Sequence, residues 1–276
     1  MTKNGIHVEL WKHWPFIHVV VVVLFGIGLI GCKSFSKIEL PNGRQIDKET
    51  ENFWTANYSE KSGLNYVATF PKEYSEGSTK KWPMIVFLHS TAERGNDINL
   101  VINNPNPLGE GNGIAPYALQ TADFKYITIT PLCPKDAYWP LINDRLKSLI
   151  EDVIANLRIQ EGQIYLTGVS MGGMGVWSLA MSNPNLFSAI APISGGVFFP
   201  PMIENIQALK DVPVWAFHDR YDPDISIDKE QGTIDRLKAA GFSVKYTISE
   251  MGKHYIHEGI FAENELFEWF DVVHNK

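Results

Sequence analysis

Cysteine is almost absent from the chain: only Cys32 and Cys133 occur, too few for a disulfide framework, and no Cys/His cluster carries metal-ligand spacing. No metal and no organic cofactor is therefore expected. An excess of basic residues is missing too. Lys and Arg number 24 against 31 Asp and Glu, a net charge of −7 without a basic stripe, which argues against a nucleic-acid partner and leaves solubility as the role of the acidic excess. No apolar run reaches the roughly 20 residues of a membrane-spanning helix. The longest, Ile17 to Ile30, carries His18 near its start. Internal repeats and low-complexity tracts are also lacking. What is present is a chain of 276 residues, 45% hydrophobic, enough to bury one large core in a single α/β domain.

The N-terminus has the layout of a secretory signal: Lys3 and Lys12 with one acid, Glu9, then the apolar run, then Leu29-Ile30-Gly31-Cys32. That ending resembles the lipobox of bacterial lipoproteins, in which cleavage leaves the cysteine as a lipidated N-terminus. The resemblance implies a signal peptide over 1–31, Cys32 as the lipidation site, and a bacterial cell-envelope location, lipid-anchored and facing the periplasm or the exterior. A transmembrane anchor and an unmodified signal peptide are the competing readings. Cys133 would then lack a partner and fill space as a buried small hydrophobe.

Residues 32–60 are polar and aperiodic and read as a tether with one early strand; 61–276 read as the folded α/β domain. Strand-length apolar runs are expected at Asn65–Phe70, Trp82–His89, Tyr126–Thr130, Gln163–Thr167, Ser188–Ile193, Val212–His218 and Ser243–Ile248. Between and after them lie helical patterns at Asp144–Leu157, with Asp144 as cap, at Gly173–Met181, at Asp228–Ala240 before Gly241, and at Ile260–Val273. Alternation of this kind implies a mostly parallel, doubly wound sheet, whose ligands bind outside the carboxyl ends of the strands. The Asn-, Gly- and Pro-rich segment Ser90–Ala115 is a long loop, and such loops are usually functional.

At one of those carboxyl ends lies Gly168-Val169-Ser170-Met171-Gly172. Gly-x-Ser-x-Gly suits a sharp strand-to-helix turn that lifts the serine clear of the sheet and turns the amide of Met171 toward the oxygen under attack. A serine hydroxyl needs a base and a carboxylate that orients the base. On this architecture the order is serine, acid, histidine. Two later strands run into His218-Asp219-Arg220-Tyr221-Asp222-Pro223-Asp224 and Glu250-Met251-Gly252-Lys253-His254-Tyr255-Ile256-His257.

Three stretches resemble the α/β-hydrolase superfamily, in particular secreted carboxylesterases of the feruloyl-esterase, polyhydroxybutyrate-depolymerase and dienelactone-hydrolase kinds. They are Phe87 to Gly95, Gly168 to Gly173, and Pro213 to His218 with Asp222-Pro223. The resemblance implies the α/β-hydrolase fold, Asp222 as triad acid and His254 as base, with His257 as its rival and otherwise a surface residue. It implies Thr91 as the second oxyanion donor beside Met171. It makes Trp139 either a floor for an acyl or aromatic pocket or a packing tryptophan, and Glu93 with Arg94 a buried pair under the oxyanion loop. The chain departs from the family at Ser90 and Asp219, where glycines are usual, and at His254, which follows Gly252 by two residues rather than one. Asp219 and Asp224 are expected as solvated loop acids or turn caps, and His218 as packing at the strand end.

The expected activity is thus a serine carboxylic-ester hydrolase working through an acyl-enzyme. Its substrate would be a small-molecule or polysaccharide-linked ester, with feruloyl, acetyl or other short acyl groups, and its membrane contact a lipid anchor. A surface binding lipoprotein with a non-catalytic hydrolase fold, and a serine peptidase of the same fold, are the alternatives.

Overall fold

The computed structural model describes residues 44–75, 77–103, 113–197 and 205–273, all within one unit, Leu40–Lys276. The signal segment and Cys32 lie outside them. Among the described residues nine strands form one sheet: β1 (Gln45–Ile46), β2 (Phe53–Ser59), β3 (Leu64–Phe70), β4 (Trp82–Leu88), β5 (Ile127–Pro131), β6 (Ile159–Val169), β7 (Ala189–Ile193), β8 (Val214–Asp219) and β9 (Val244–Ser249). Their order is β1-β2-β3-β5-β4-β6-β7-β8-β9. From β5 to β9 every neighbouring pair is parallel, and β1 to β3 extend the β5 side in antiparallel fashion. The sheet is accordingly mostly parallel and covered on both faces.

The central strands are near-continuous apolar runs, as burial on both faces demands. In β4 the pleat sends Met84, Val86 and Leu88 into one core and Ile85 and Phe87 into the other. The first core is closed by α2 (Asn143–Asn156), α3 (Met171–Ser182) and α4 (Asp228–Ala239), through Leu146, Leu149, Ile150, Val153, Val176, Leu179, Ile234 and Leu237. The second is closed by α1 (Ile114–Gln120), α5 (His257–Ala262) and α6 (Glu265–Val273), with Phe261, Phe267 and Phe270 at its centre. β9, at the sheet edge, is nowhere fully buried.

Four expectations change. The tether gives way within its span to β1 and β2, because Phe53 stacks on Phe70 and β2 pairs with β3 along its length. A helix, α1, follows directly on the long loop, where Pro116 in its first turn is compatible with a helix start. The closing helix is two helices, broken at Asn264, which takes φ +60°. Asp144 is in the first turn of α2 rather than at its cap, which is Ile142.

Candidate active site

Ser170 lies between the end of β6 and the start of α3 with φ 59° and ψ −120°, a left-handed conformation that costs a non-glycine residue energy and is held by its surroundings. The surroundings are backbone. Its N–H donates to the Ile193 carbonyl at the end of β7 (3.0 Å), and its carbonyl accepts the Met174 N–H (3.0 Å). The first turn of α3 is wedged against the end of β4: a Cβ on Gly172 would come within 1.8 Å of the Leu88 carbonyl oxygen. Glycine there answers to close approach. Met171 opens α3, so its amide is among those without an intrahelical acceptor, at the positive end of the helix dipole.

The loop after β4 is fixed from below. His89 accepts the Cys133 N–H at Nε2 (3.0 Å), which leaves the ring proton on Nδ1, donated to the Ser90 carbonyl at 2.7 Å. Burial holds this imidazole neutral, with its pKa lowered to about 4. Because the peptide is trans, anchoring the Ser90 carbonyl also directs the Thr91 N–H the opposite way. Ser90 Oγ accepts the Ala92 N–H (3.2 Å) and donates to Glu93 Oε2 (2.8 Å), so the hydroxyl of this departure from glycine stitches the loop. Glu93 is thus partnered by Ser90, while the half-exposed Arg94 covers the Tyr138 ring and donates to the carbonyls of Ala137 and Thr91. Trp139 is 0% exposed. Its indole donates to the His89 carbonyl (2.9 Å) and its ring meets His89 edge-on, so it supports the loop from within the core and does not floor a pocket. Cys133 is buried, and burial pushes its thiol up to about 12.

Asp222 and His254 meet. Asp222 Oδ2 accepts His254 Nδ1–H at 2.7 Å, and Asp222 Oδ1 accepts the N–H groups of Asp224 and Ile225 (2.8 and 2.9 Å). Burial acts to raise the Asp222 pKa, but hydrogen bonds from His218, His254 and these amides outweigh it and hold the carboxyl well below its usual range. The His254 carbonyl is in turn tied by Ser194 Oγ (2.7 Å), the residue after Ile193, so the histidine loop is fastened beside the β7 end that also anchors Ser170. Among the described residues no hydrogen bond links Ser170 Oγ to His254, a contact that often tightens only with substrate bound. His257 is buried at the start of α5 among Phe87, Tyr255 and Phe261, not at the surface, and it is His254 that faces Asp222.

Two residues expected to be incidental are embedded in the site. Asp219 is 0% exposed and no solvated loop acid. It accepts Ser249 Oγ (2.7 Å) and Met251 N–H (2.6 Å) on Oδ2, and Tyr221 N–H (2.9 Å) and Gly252 N–H (3.0 Å) on Oδ1, clamping the Asp222 loop to the His254 loop. His218, also fully buried, stands between Glu230 and Asp222. Glu230 escaped notice although the sequence held a sign of it. It shares the apolar stripe of α4 with Thr233, Ile234 and Leu237, a carboxylate where a core residue belongs.

A family model described as Esterase matches residues 108–251. An endo-1,4-β-xylanase/feruloyl esterase of Xylanibacter ruminicola is 23% identical over 213 residues, 73% of this chain and 28% of that protein. The chain therefore spans little more than a quarter of that relative. A solved thermostable esterase is 25% identical, with a TM-score of 0.62 over 79% of this chain and 62% of that one. An S-formylglutathione hydrolase from Staphylococcus aureus, 14% identical, shares the fold at a TM-score of 0.61, covering 82% of this chain and 99% of its own.

Proposed function

The chain belongs to the esterase family, and from that premise we propose that it is a serine carboxylic-ester hydrolase with Ser170 as nucleophile, His254 as base and Asp222 as acid. The observation that carries the reading is the 2.7 Å Asp222–His254 hydrogen bond beside a strained serine at a strand-to-helix turn. Asp222 fixes the proton on His254 Nδ1, leaving Nε2 to accept the Ser170 proton as Oγ attacks the ester carbonyl. The oxyanion is taken by the amides of Met171 and Thr91. Collapse expels the alcohol, which receives its proton from His254, and leaves Ser170 acylated. Water, deprotonated by His254, then attacks the acyl carbonyl, releases the carboxylic acid and restores the serine.

The substrate we propose is an ester of a short or aromatic acid, feruloyl or acetyl, free or linked to a polysaccharide. The similarity to a protein named as a feruloyl esterase supports it. Turnover of p-nitrophenyl acetate and butyrate and of methyl ferulate tests the activity, and a fluorophosphonate probe tests the serine. Hydrolysis of at least one ester, with the probe on Ser170, is expected. Absence of both hydrolysis and labelling would leave a binding protein, and cleavage of peptide amides alone would leave a peptidase.

We also propose that Cys32 carries lipid and anchors the protein to the cell envelope, on the strength of Leu29-Ile30-Gly31-Cys32. Cells fed an alkyne fatty acid should label the wild type and not Cys32→Ser. An unlabelled wild type would refute the anchor.

A further inference from the structure

Asp222 faces two imidazoles, not one. Its Oδ2 takes the proton of His254 Nδ1 at 2.7 Å and lies 3.3 Å from Nε2 of His218. Everything polar around His218 can accept a proton: Nε2 is also 3.0 Å from the Ile225 carbonyl, and Nδ1 is 2.7 Å from Glu230 Oε2. Glu230 is itself met by donors, the Trp177 indole on Oε1 (2.9 Å) and the Gly195 N–H on Oε2 (3.1 Å). Both side chains are 0% exposed. Water cannot share the charge, so the proton between them decides the field at the site.

Resting on the triad reading above, we propose that His218 is a positioning residue for the triad acid. It is a buried imidazolium, paired with Glu230, that holds Asp222 ionised and oriented. Burial alone would lower the His218 pKa, but its hydrogen bonds to Asp222 and Glu230 and the charge of Glu230 overcome it and raise it to about 10. The ring therefore stays charged across the range in which a base of this kind works. The chain of contacts runs from Trp177, on the helix that opens at Met171, through Glu230 and His218 to Asp222 and His254, so nucleophile helix and base share one scaffold.

Other charges around the pair are few. β8 contributes Asp219, committed to the Ser249 hydroxyl and three amides; the loop after β8 contributes Asp222 itself, exposed Asp224 and exposed Arg220, which pairs with Glu250; β9 contributes Tyr246; the loop before α5 contributes exposed Glu250 and Lys253, with Tyr255 edge-on to His254; and α4 adds Glu230 and exposed Lys229. α3 carries no titratable side chain. Removing His218 thus removes the nearest cation. If Glu230 stays ionised the site becomes more negative; if it takes a proton the nearer positive charge is still lost. In both cases the cation that faces Asp222 is lost, and the acid limb of kcat/KM is expected to move to higher pH.

The test is the pH profile of ester hydrolysis by the full chain carrying His218→Gln, beside Ser170→Ala. The acid limb should rise by roughly one pH unit and kcat should fall about tenfold with KM little changed. A purely structural residue would lower the melting temperature without moving the limb. Should the variant fail to fold, nitrogen-15 NMR of histidine-labelled wild type decides: one histidine protonated on both ring nitrogens at pH 8 is expected, and none would overturn the proposal. If Ser170→Ala keeps its activity, the triad reading falls. If it is dead while the limb of His218→Gln stays within about 0.2 unit of wild type, this proposal alone falls.

Discussion

Ser170→Ala should fold like the wild type and lose ester turnover by about 10⁴-fold or more. The activity is lost because no acyl-enzyme can form without Oγ; what remains is the contribution of oxyanion donors and binding, which falls short of the full triad by several orders of magnitude. The fold is retained for a separate reason. Serine and alanine share the Cβ that makes φ 59° costly, so the strain is the same in both. No hydrogen bond to Ser170 Oγ occurs among the described residues, so its removal orphans no described partner. Stability should therefore change by less than about 0.5 kcal/mol. Steady-state kinetics on p-nitrophenyl acetate, with a urea melt of the same preparation, measures both quantities. A variant that kept more than about 1% of kcat/KM would remove Ser170 from the chemistry.

Gly172→Ala should do the reverse, destroying the fold and the activity with it. The added methyl would sit 1.8 Å from the Leu88 carbonyl oxygen, 2.6 Å from its carbon and 2.9 Å from the His89 oxygen. All three are main-chain atoms, so no rotamer change relieves the clash, and β4 and α3 must separate. We expect a loss of more than about 4 kcal/mol, or no folded protein. Gly232→Ala is the control. It lies inside α4 with nothing within 4 Å of its added carbon. There alanine should stabilise, by about 0.5–1 kcal/mol, through its better helix propensity. Chemical denaturation of the two variants should give shifts of opposite sign, and a Gly172→Ala protein within about 1 kcal/mol of wild type would contradict the packing described.

The sequence disclosed those parts of the molecule that depend on neighbouring residues. The Ser170 turn needs glycines at fixed offsets, and β4, β7 and the first four residues of β8 must be apolar when both faces are covered. These are local demands with a local imprint. Hidden were features produced by distant parts of the chain. Asp219 looks like any loop acid until the Met251 and Gly252 amides arrive from the next loop, and His218 looks like strand-end packing until α4 brings Glu230 against it. Trp139, beside a plausible pocket in sequence, is drawn inward by the His89 carbonyl. The break at Asn264 was concealed because apolar spacing continues across it, and the helix ends in a left-handed residue that asparagine tolerates. Polar residues were thus the harder class, since burial of a charge is decided by partners and not by composition.

The strand order has a consequence in time. β6, β7, β8 and β9 are added outward from β4 in the order in which they occur in the chain. The Ser170 turn is complete once β6 lies beside β4 and β7, whereas the loop bearing His254 begins only after β9, at the far edge. A chain that emerges N-terminus first therefore carries Ser170, the proposed nucleophile, without His254, the proposed base, until the last strand has docked. On the triad proposed above, hydrolysis would begin only with completion of the sheet.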